Sequence, residues 1–281
     1  MILHITHNDL DGAGCSVLIK KFLEPDSTVY LNYDEIDNFI ITNSHKYQKI
    51  IITDLSPSLE VAKFMSESVD VLFIDHHITS ENLVEYFDSY HDITKSGTLL
   101  TFEWLMSNNF KCDSYRNFAE LVNDYDMWHL KISESLKLNM LFSLLGIDRF
   151  VERFLKNSSM VFDAGESLLL EIEEESKNKY LVNALKNTMM FNDKQKRTFA
   201  VVFAEKYNSE LGHYIVNNTE ALYTVIINAQ KKKVSLRSKA EVDISEIAVQ
   251  NGGGGHKNAA GFSTTFDFGL GEFLKSAGVI S

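Results

Sequence analysis

Val71-Leu72-Phe73-Ile74-Asp75-His76-His77 joins four apolar residues to one carboxylate and two adjacent imidazoles. The apolar run reads as a buried strand, and its polar tip needs partners, because burying such groups uncompensated costs about 2–7 kcal/mol each. A metal ion answers that need most simply. Working outward, residues 2–6 and 49–53 are further short apolar runs, and each ends in a polar residue, at His7 and at Asp54. Helical periodicity fills the intervals, from about Gly14 to Phe22 and from a Ser56 N-cap with Pro57 in the first turn to about Ser68. Strands alternating with helices predict an α/β domain whose mainly parallel sheet is flanked by helices.

Residues 98–107, 115–124, 133–145 and 148–155 each carry apolar side chains at helical spacing. The acidic stretch from Gly165 to about Asn187, with Glu171, Glu173, Glu174 and Glu175, reads as a helix with one solvated face. Beyond it the pattern changes to strands at 198–204, 222–229 and 233–237, a short helix at 244–250 and a glycine loop at 251–255. The expected organisation is a catalytic domain over 1–160, a helical connector over 161–192 and a smaller α/β domain over 193–281.

The formal net charge of −12 argues against long nucleic acid as the partner, since such chains are held by basic surfaces that release counterions. A short anionic substrate remains compatible if metals and local cations supply the attraction. No duplex binding is expected. Cys15 and Cys112 lack any CxxC spacing and are expected to be reduced structural thiols. No apolar run approaches the length of a membrane span, so a cytoplasmic protein is expected.

Four polar clusters follow predicted strands or helices: His7-Asn8-Asp9-Leu10-Asp11-Gly12, Asp54, Asp75-His76-His77, and Asn123-Asp124-Tyr125-Asp126-Met127-Trp128. If the first is extended, alternate residues project to one side and His7, Asp9 and Asp11 converge. In open α/β sheets ligands bind beyond the carboxyl ends of strands, where three of these clusters fall. Oxygen donors mixed with imidazole suit manganese or magnesium, with zinc or iron as further options. The number of carboxylates exceeds what one ion requires, so a pair of ions about 3.5–4 Å apart, acting on a water and on the oxygens of an in-line displacement at phosphorus, fits better. A lone Asp after a strand is ordinarily a turn former or helix cap, and Asp124, His4, His45, His91, His129 and His213 are assigned such structural roles. Farther on, Gly252-Gly253-Gly254-Gly255-His256 offers a nest of amides for phosphate oxygens. Arg237, followed by Ser238 at a strand end, is a candidate bidentate phosphate ligand.

Taken in order, His7-x-Asp9-x-Asp11-Gly12, Asp54, Asp75-His76-His77, Asp126 and Gly253-Gly254-Gly255-His256 resemble the motifs of the DHH/DHHA1 phosphoesterases, over nearly the whole chain. That superfamily includes RecJ-like exonucleases, nanoRNases and cyclic-dinucleotide phosphodiesterases. The resemblance implies a DHH domain with two Mn2+ (Mg2+ or another divalent cation in their place), a helical connector, and a DHHA1 domain that closes over the substrate. It assigns His7, Asp9 and Asp54 to one ion, and Asp11, bridging Asp54, His76 and Asp126 to the other. His77 then faces the scissile phosphate and Asp75 orients His76. Substrate phosphate falls to Arg237, Ser238, His256 and the amides of Gly253, Gly254 and Gly255. Cys15 departs from the serine common at that place.

The implied activity is hydrolysis of short oligonucleotides or dinucleotides to mononucleotides, of nanoRNase type, by a protein for which a homodimer is one assembly considered. The alternatives are a RecJ-like single-strand exonuclease on DNA and an inactive scaffold of the same fold. A family II pyrophosphatase is disfavoured by the Gly253–His256 motif.

Overall fold

The computed structural model describes residues 1–264 together with Ser276 and Ala277. Strand β1 (Ile2–His7), helix α1 (Leu10–Phe22), β2 (Ser27–Leu31), α2 (Ile36–Asn43), β3 (Lys49–Thr53), α3 (Leu59–Ser66), β4 (Asp70–Asp75) and β5 (Asp88–His91) follow one another. Their sheet has the order β2-β1-β3-β4-β5, and every pairing is parallel. Side-chain alternation along the strands builds two cores. Leu3, Ile5, Ile50, Ile52, Val71 and Phe73 pack on Ile36 and Ile40 of α2 and on Val61, Ala62 and Met65 of α3. On the opposite face Ile51, Leu72 and Ile74 meet Ile19 of α1 and Leu100 of α4 (Gly97–Ser107).

Two further helices, α5 (Arg116–Asp126) and α6 (Ser133–Lys156), join α1 and α4 in a second layer around Phe118, Phe150 and Phe154. Helix α6 is broken at Gly146, whose φ of 71° no helix accommodates, so the two predicted helices abut there. Several details of the first unit differ from the sequence expectation, which also lacked α2. Helix α1 starts at Leu10 rather than near Gly14, because Asp9 caps it. Helix α3 is capped by Ser58, whose side chain accepts from the Val61 amide, and not by Ser56. Strands β2 and β5 were not anticipated: both are sheet edges with half-exposed residues, which leaves no apolar run to read.

The chain divides into two compact units, residues 1–170 and 171–281, and α7 (Ala164–Lys186) runs through the division. In the second unit β6 (Met189–Asn192), β7 (Thr198–Phe203), α8 (Asn208–Asn218), β8 (Tyr223–Asn228), β9 (Lys233–Ser238), α9 (Ser245–Gln250), β10 (Gly254–His256) and β11 (Ala259–Ser263) form a sheet of order β10-β11-β9-β8-β7-β6. Only β7 and β8 pair in parallel. Leu211 and Ile215 of α8 pack with Ala200, Val202 and Ile226, whereas Ala248 of α9 packs with Tyr223, Val234, Leu236 and Ala260. No helix of the described residues is long and apolar enough to cross a membrane.

Candidate metal centre

Strands β1, β3 and β4 lie side by side, and their register places Thr6, Thr53 and Ile74 in one row. The next residues, His7, Asp54 and Asp75, therefore emerge together at the carboxyl edge of the sheet. Asp54 leaves its strand with φ of 52°, a left-handed conformation that aspartate tolerates better than most residues. The segment after β1 is not the extended zigzag expected. His7 ends the strand, Asp9 is the N-cap of α1, and Asp11 stands in that helix's first turn. Convergence arises from a strand end meeting a helix start. Asp9 accepts the Gly12 amide at 2.9 Å through Oδ1, and its Oδ2 lies 2.8 Å from His7 Nδ1.

Asp126 is the last residue of α5, and Asp124 explains how it is presented. The buried Asp124 carboxylate accepts the Lys131 and Ile132 amides at 3.0 and 3.1 Å and the Ser135 hydroxyl at 2.7 Å, tying down the loop into α6. That engagement occupies the Asp124 carboxylate within the turn. Asp126 Oδ2 instead lies 3.7 Å from His76 Nε2.

Among the described residues, three sets of donor atoms each lie within 4.8 Å of one another: His7, Asp9 and Asp54; Asp11, His76 and Asp126; and Asp54, Asp75, His76 and His77. His76 Nε2 is 3.2 Å from Asp54 Oδ1 and 3.7 Å from Asp11 Oδ2, so Asp54 stands between the first two sets. Asp75 does not orient His76 as expected. Its Oδ1 lies 2.8 Å from Nδ1 of His77, two residues along, because alternate side chains at a strand end share a side.

The electrostatics of this cluster call for cations. Burial, reinforced by the charges of Asp11 and Asp9, pushes Asp54 well above the usual carboxylate range. Burial does the same to Asp126, again with Asp11 and Asp9 adding to it. Burial also opposes ionisation of Asp9 and Asp75, but the hydrogen bonds and charges of His7 and His77 outweigh it and hold both below their ordinary values. Oδ2 of Asp54 and Oδ2 of Asp126 are buried with no hydrogen-bond partner among the described residues. Unpaired buried carboxylate oxygens beside imidazole nitrogens are the donor set of hard or borderline divalent ions.

Several supporting residues escaped the sequence reading. The start of α4 points at Asp11: the amides of Gly97 and Thr98 donate to its carboxylate at 2.6 and 2.8 Å, where the helix dipole favours negative charge. A Cβ on Gly97 would lie 2.9 Å from Asp54 Cβ and 3.0 Å from Asp11 Oδ2, so only glycine fits. Ser96, the α4 N-cap, was a readable signal for the helix start, though not for its target. Tyr33 Oη lies 2.7 Å from His77 Nε2, and its ring centroid is 4.9 Å from that of His7. Crowding by protein raises the Tyr33 phenol pKa, and the charges of Asp54 and Asp75 add to it.

In the second unit, register puts Thr224, Arg237, Ala259 and His256 in one cross-strand row, so Arg237 and exposed His256 share a sheet face two strand spacings, about 10 Å, apart. Arg237 donates to Ser209 Oγ at 2.7 Å and to the Leu236 carbonyl at 2.8 Å. Ser238 faces the other way and is buried, its hydroxyl donating to the Val242 carbonyl at 2.7 Å. The glycine run is only partly a loop. Gly253 donates to the Ala248 carbonyl to close α9, and Gly254 and Gly255 lie in edge strand β10. A Cβ on Gly253 would sit 2.1 Å from the Gly261 carbonyl oxygen, and Gly255 has φ of 134°, so this edge can lie on β11 only as glycine.

Residues 1–123 match the DHH family, N-terminal domain, and residues 178–277 match the DHHA1 domain. The oligoribonuclease NrnB of Bacillus subtilis is 32% identical over 288 residues, covering 92% of this chain and 72% of that protein. The chain belongs to the DHH/DHHA1 phosphoesterases. It is accordingly a hydrolase acting on phosphoester bonds, its two-part architecture is that of the family, and its Asp/His cluster could hold divalent ions. Among solved structures, the pGpG-specific phosphodiesterase PggH from Vibrio cholerae aligns with a TM-score of 0.58 at 13% identity, over 99% of this chain and 97% of that one. RecJ from Thermus thermophilus, in complex with Mn2+, aligns at 0.59 and 15% identity, over 98% of this chain and 51% of that one. At such identities both likenesses concern the fold alone.

Proposed function

We propose that the chain is a two-ion phosphodiesterase, supported by manganese, that hydrolyses short oligonucleotides or dinucleotides to mononucleotides in the cytoplasm. The observation that carries this reading is the pair of donor sets, His7 with Asp9 and Asp11 with His76 and Asp126, with Asp54 between them. Divalent ions held there would polarise phosphoryl oxygens and acidify water. The chain's own groups do the rest. Asp75 fixes His77, which faces the phosphate undergoing displacement. Asp11, itself held by Gly97 and Thr98, and Asp126 are the carboxylates that keep the centre assembled. Arg237 and His256, on one face of the second sheet, are the proposed grip on substrate phosphate.

Short substrates are favoured by the acidic balance of the chain, which offers little to a long polyanion. The oligoribonuclease NrnB, at 32% identity, supports the same size class, and oxygen donors mixed with imidazole suit manganese. Turnover of a labelled ladder from two to about two dozen nucleotides in the presence of Mn2+ tests the reading. Two- to five-mers should be hydrolysed with the highest kcat/KM. A preference for long single strands would assign the chain instead to RecJ-like exonuclease work.

A further inference from the structure

We propose that Tyr33 is a positioning residue of the hydrolytic centre: its hydroxyl and the Asp75 carboxylate occupy the two ring nitrogens of His77 and so fix the orientation of that imidazole. The inference rests on the phosphodiesterase reading for its consequence in turnover, though not for the geometry itself. Asp75 Oδ1 is 2.8 Å from Nδ1, and Tyr33 Oη is 2.7 Å from Nε2 on the other side of the ring. A carboxylate at Nδ1 calls for a proton there, and a phenol hydroxyl can either donate to Nε2 or accept from it, so the two contacts together hold the ring in one orientation.

The two partners are held differently: Asp75 by burial, and Tyr33, which is 49% exposed, by its turn. Asp75 is fully buried at the end of β4. Tyr33 belongs to a stapled turn after β2: Glu35 Oε2 accepts both the Asn32 amide and its Nδ2 at 2.8 Å, and the Glu35 amide donates to the Asn32 carbonyl at 3.0 Å. The His77 carbonyl is anchored separately, by Ser80 Oγ at 2.8 Å and His91 Nε2 at 3.0 Å. The Tyr33 ring meets that of His77 edge on, with centroids 5.6 Å apart at 84°, and leans on His7 as well. Backbone, Nδ1 and Nε2 of His77 are thus each held by a different element. Removing the third restraint lets the ring pivot on the Asp75 contact, and a displacement of about 1 Å at a reacting group can lower a rate about a hundredfold.

Tyr33→Phe removes the hydroxyl and keeps the ring. Outer-sphere partners of this kind are commonly worth about 10–100-fold. The expected result is a kcat lowered about tenfold on a dinucleotide, with KM and bound Mn2+ unchanged, and no further loss when Tyr33→Phe is combined with His77→Ala. Losses that multiply in the double variant would overturn the assignment, because Tyr33 would then act independently of His77. A second readout needs no activity: nitrogen NMR of histidine-labelled, Mg2+-loaded protein should show His77 protonated on Nδ1, with an Nε2 resonance that moves in Tyr33→Phe. Identical imidazole spectra in the two proteins would refute the clamp. If the wild-type protein hydrolyses no phosphodiester, the functional reading fails, while the spectra still decide whether Tyr33 holds His77.

Discussion

Gly97 shows how tightly the centre is drawn around single atoms. A methyl group there would crowd Asp54 Cβ and Asp11 Oδ2, and overpacking of this kind costs about 1–3 kcal/mol. Gly97→Ala should therefore weaken Mn2+ binding about tenfold or more in calorimetric titration; unchanged affinity would mean that the α4 start does not set the ligand geometry. His4 gives a pH signature. It is fully buried beneath the site, with Nε2 2.9 Å from Thr53 Oγ1, and burial, with Lys20 adding to it, lowers its pKa to about 3. Between about pH 6.5 and 3 the unfolded chain takes up a proton that the folded chain refuses, so stability falls as pH drops through that window, by at most about 1.4 kcal/mol per unit. His4→Gln should flatten the urea midpoint against pH between 6.5 and 4. The residues proposed as ligands could be picked out as candidates because most of them stand where apolar sequence gives way to polar. Gly97 and Tyr33 could not, since their roles lie in contacts with Asp11 and His77, 86 and 44 residues away.

At the scale of elements, the turn from α5 to α6 is organised by one carboxylate. Burial opposes ionisation of Asp124, but the Ser135 hydroxyl and the Lys131 and Ile132 amides outweigh it and hold its pKa below the ordinary value. Hydrogen bonds to a charged group contribute about 1.5–3 kcal/mol, so Asp124→Asn should lower neutral-pH stability by about that much. The sign of the pH effect follows. A depressed carboxylate stabilises above its unfolded pKa and loses that contribution as pH falls through its folded pKa. The gap between wild type and Asp124→Asn should therefore close in acid, as read by denaturant midpoints; a gap constant with pH would show that the charge is irrelevant to the turn. Elements with a wide apolar stripe, such as α4 and α5, were readable from periodicity. The edge strands β2 and β10 were not: one is half-exposed, and the other is made of glycines and an exposed histidine whose strand form depends on β11.

Across the whole molecule, each unit has its own sheet and its own core. The residues proposed as metal ligands run from His7 to Asp126, all within the first unit, whereas Arg237 and His256 belong to the second. The parallel sheet explains that gathering, because it brings the carboxyl ends of three strands to one edge whatever the sequence distance between them. The ordered motifs made this architecture legible, and the resemblance already implied a bridging Asp54; the coordinates add its geometry, with Oδ1 3.2 Å from His76 Nε2. A Mn2+ titration of the full chain, followed by elemental analysis and electron paramagnetic resonance, measures that sharing directly. Two ions per chain with a spin-coupled signal, and loss of the coupled pair in Asp54→Asn, is the expected result. A single ion per chain, or a coupled pair that survives Asp54→Asn, would contradict a two-ion centre built on Asp54.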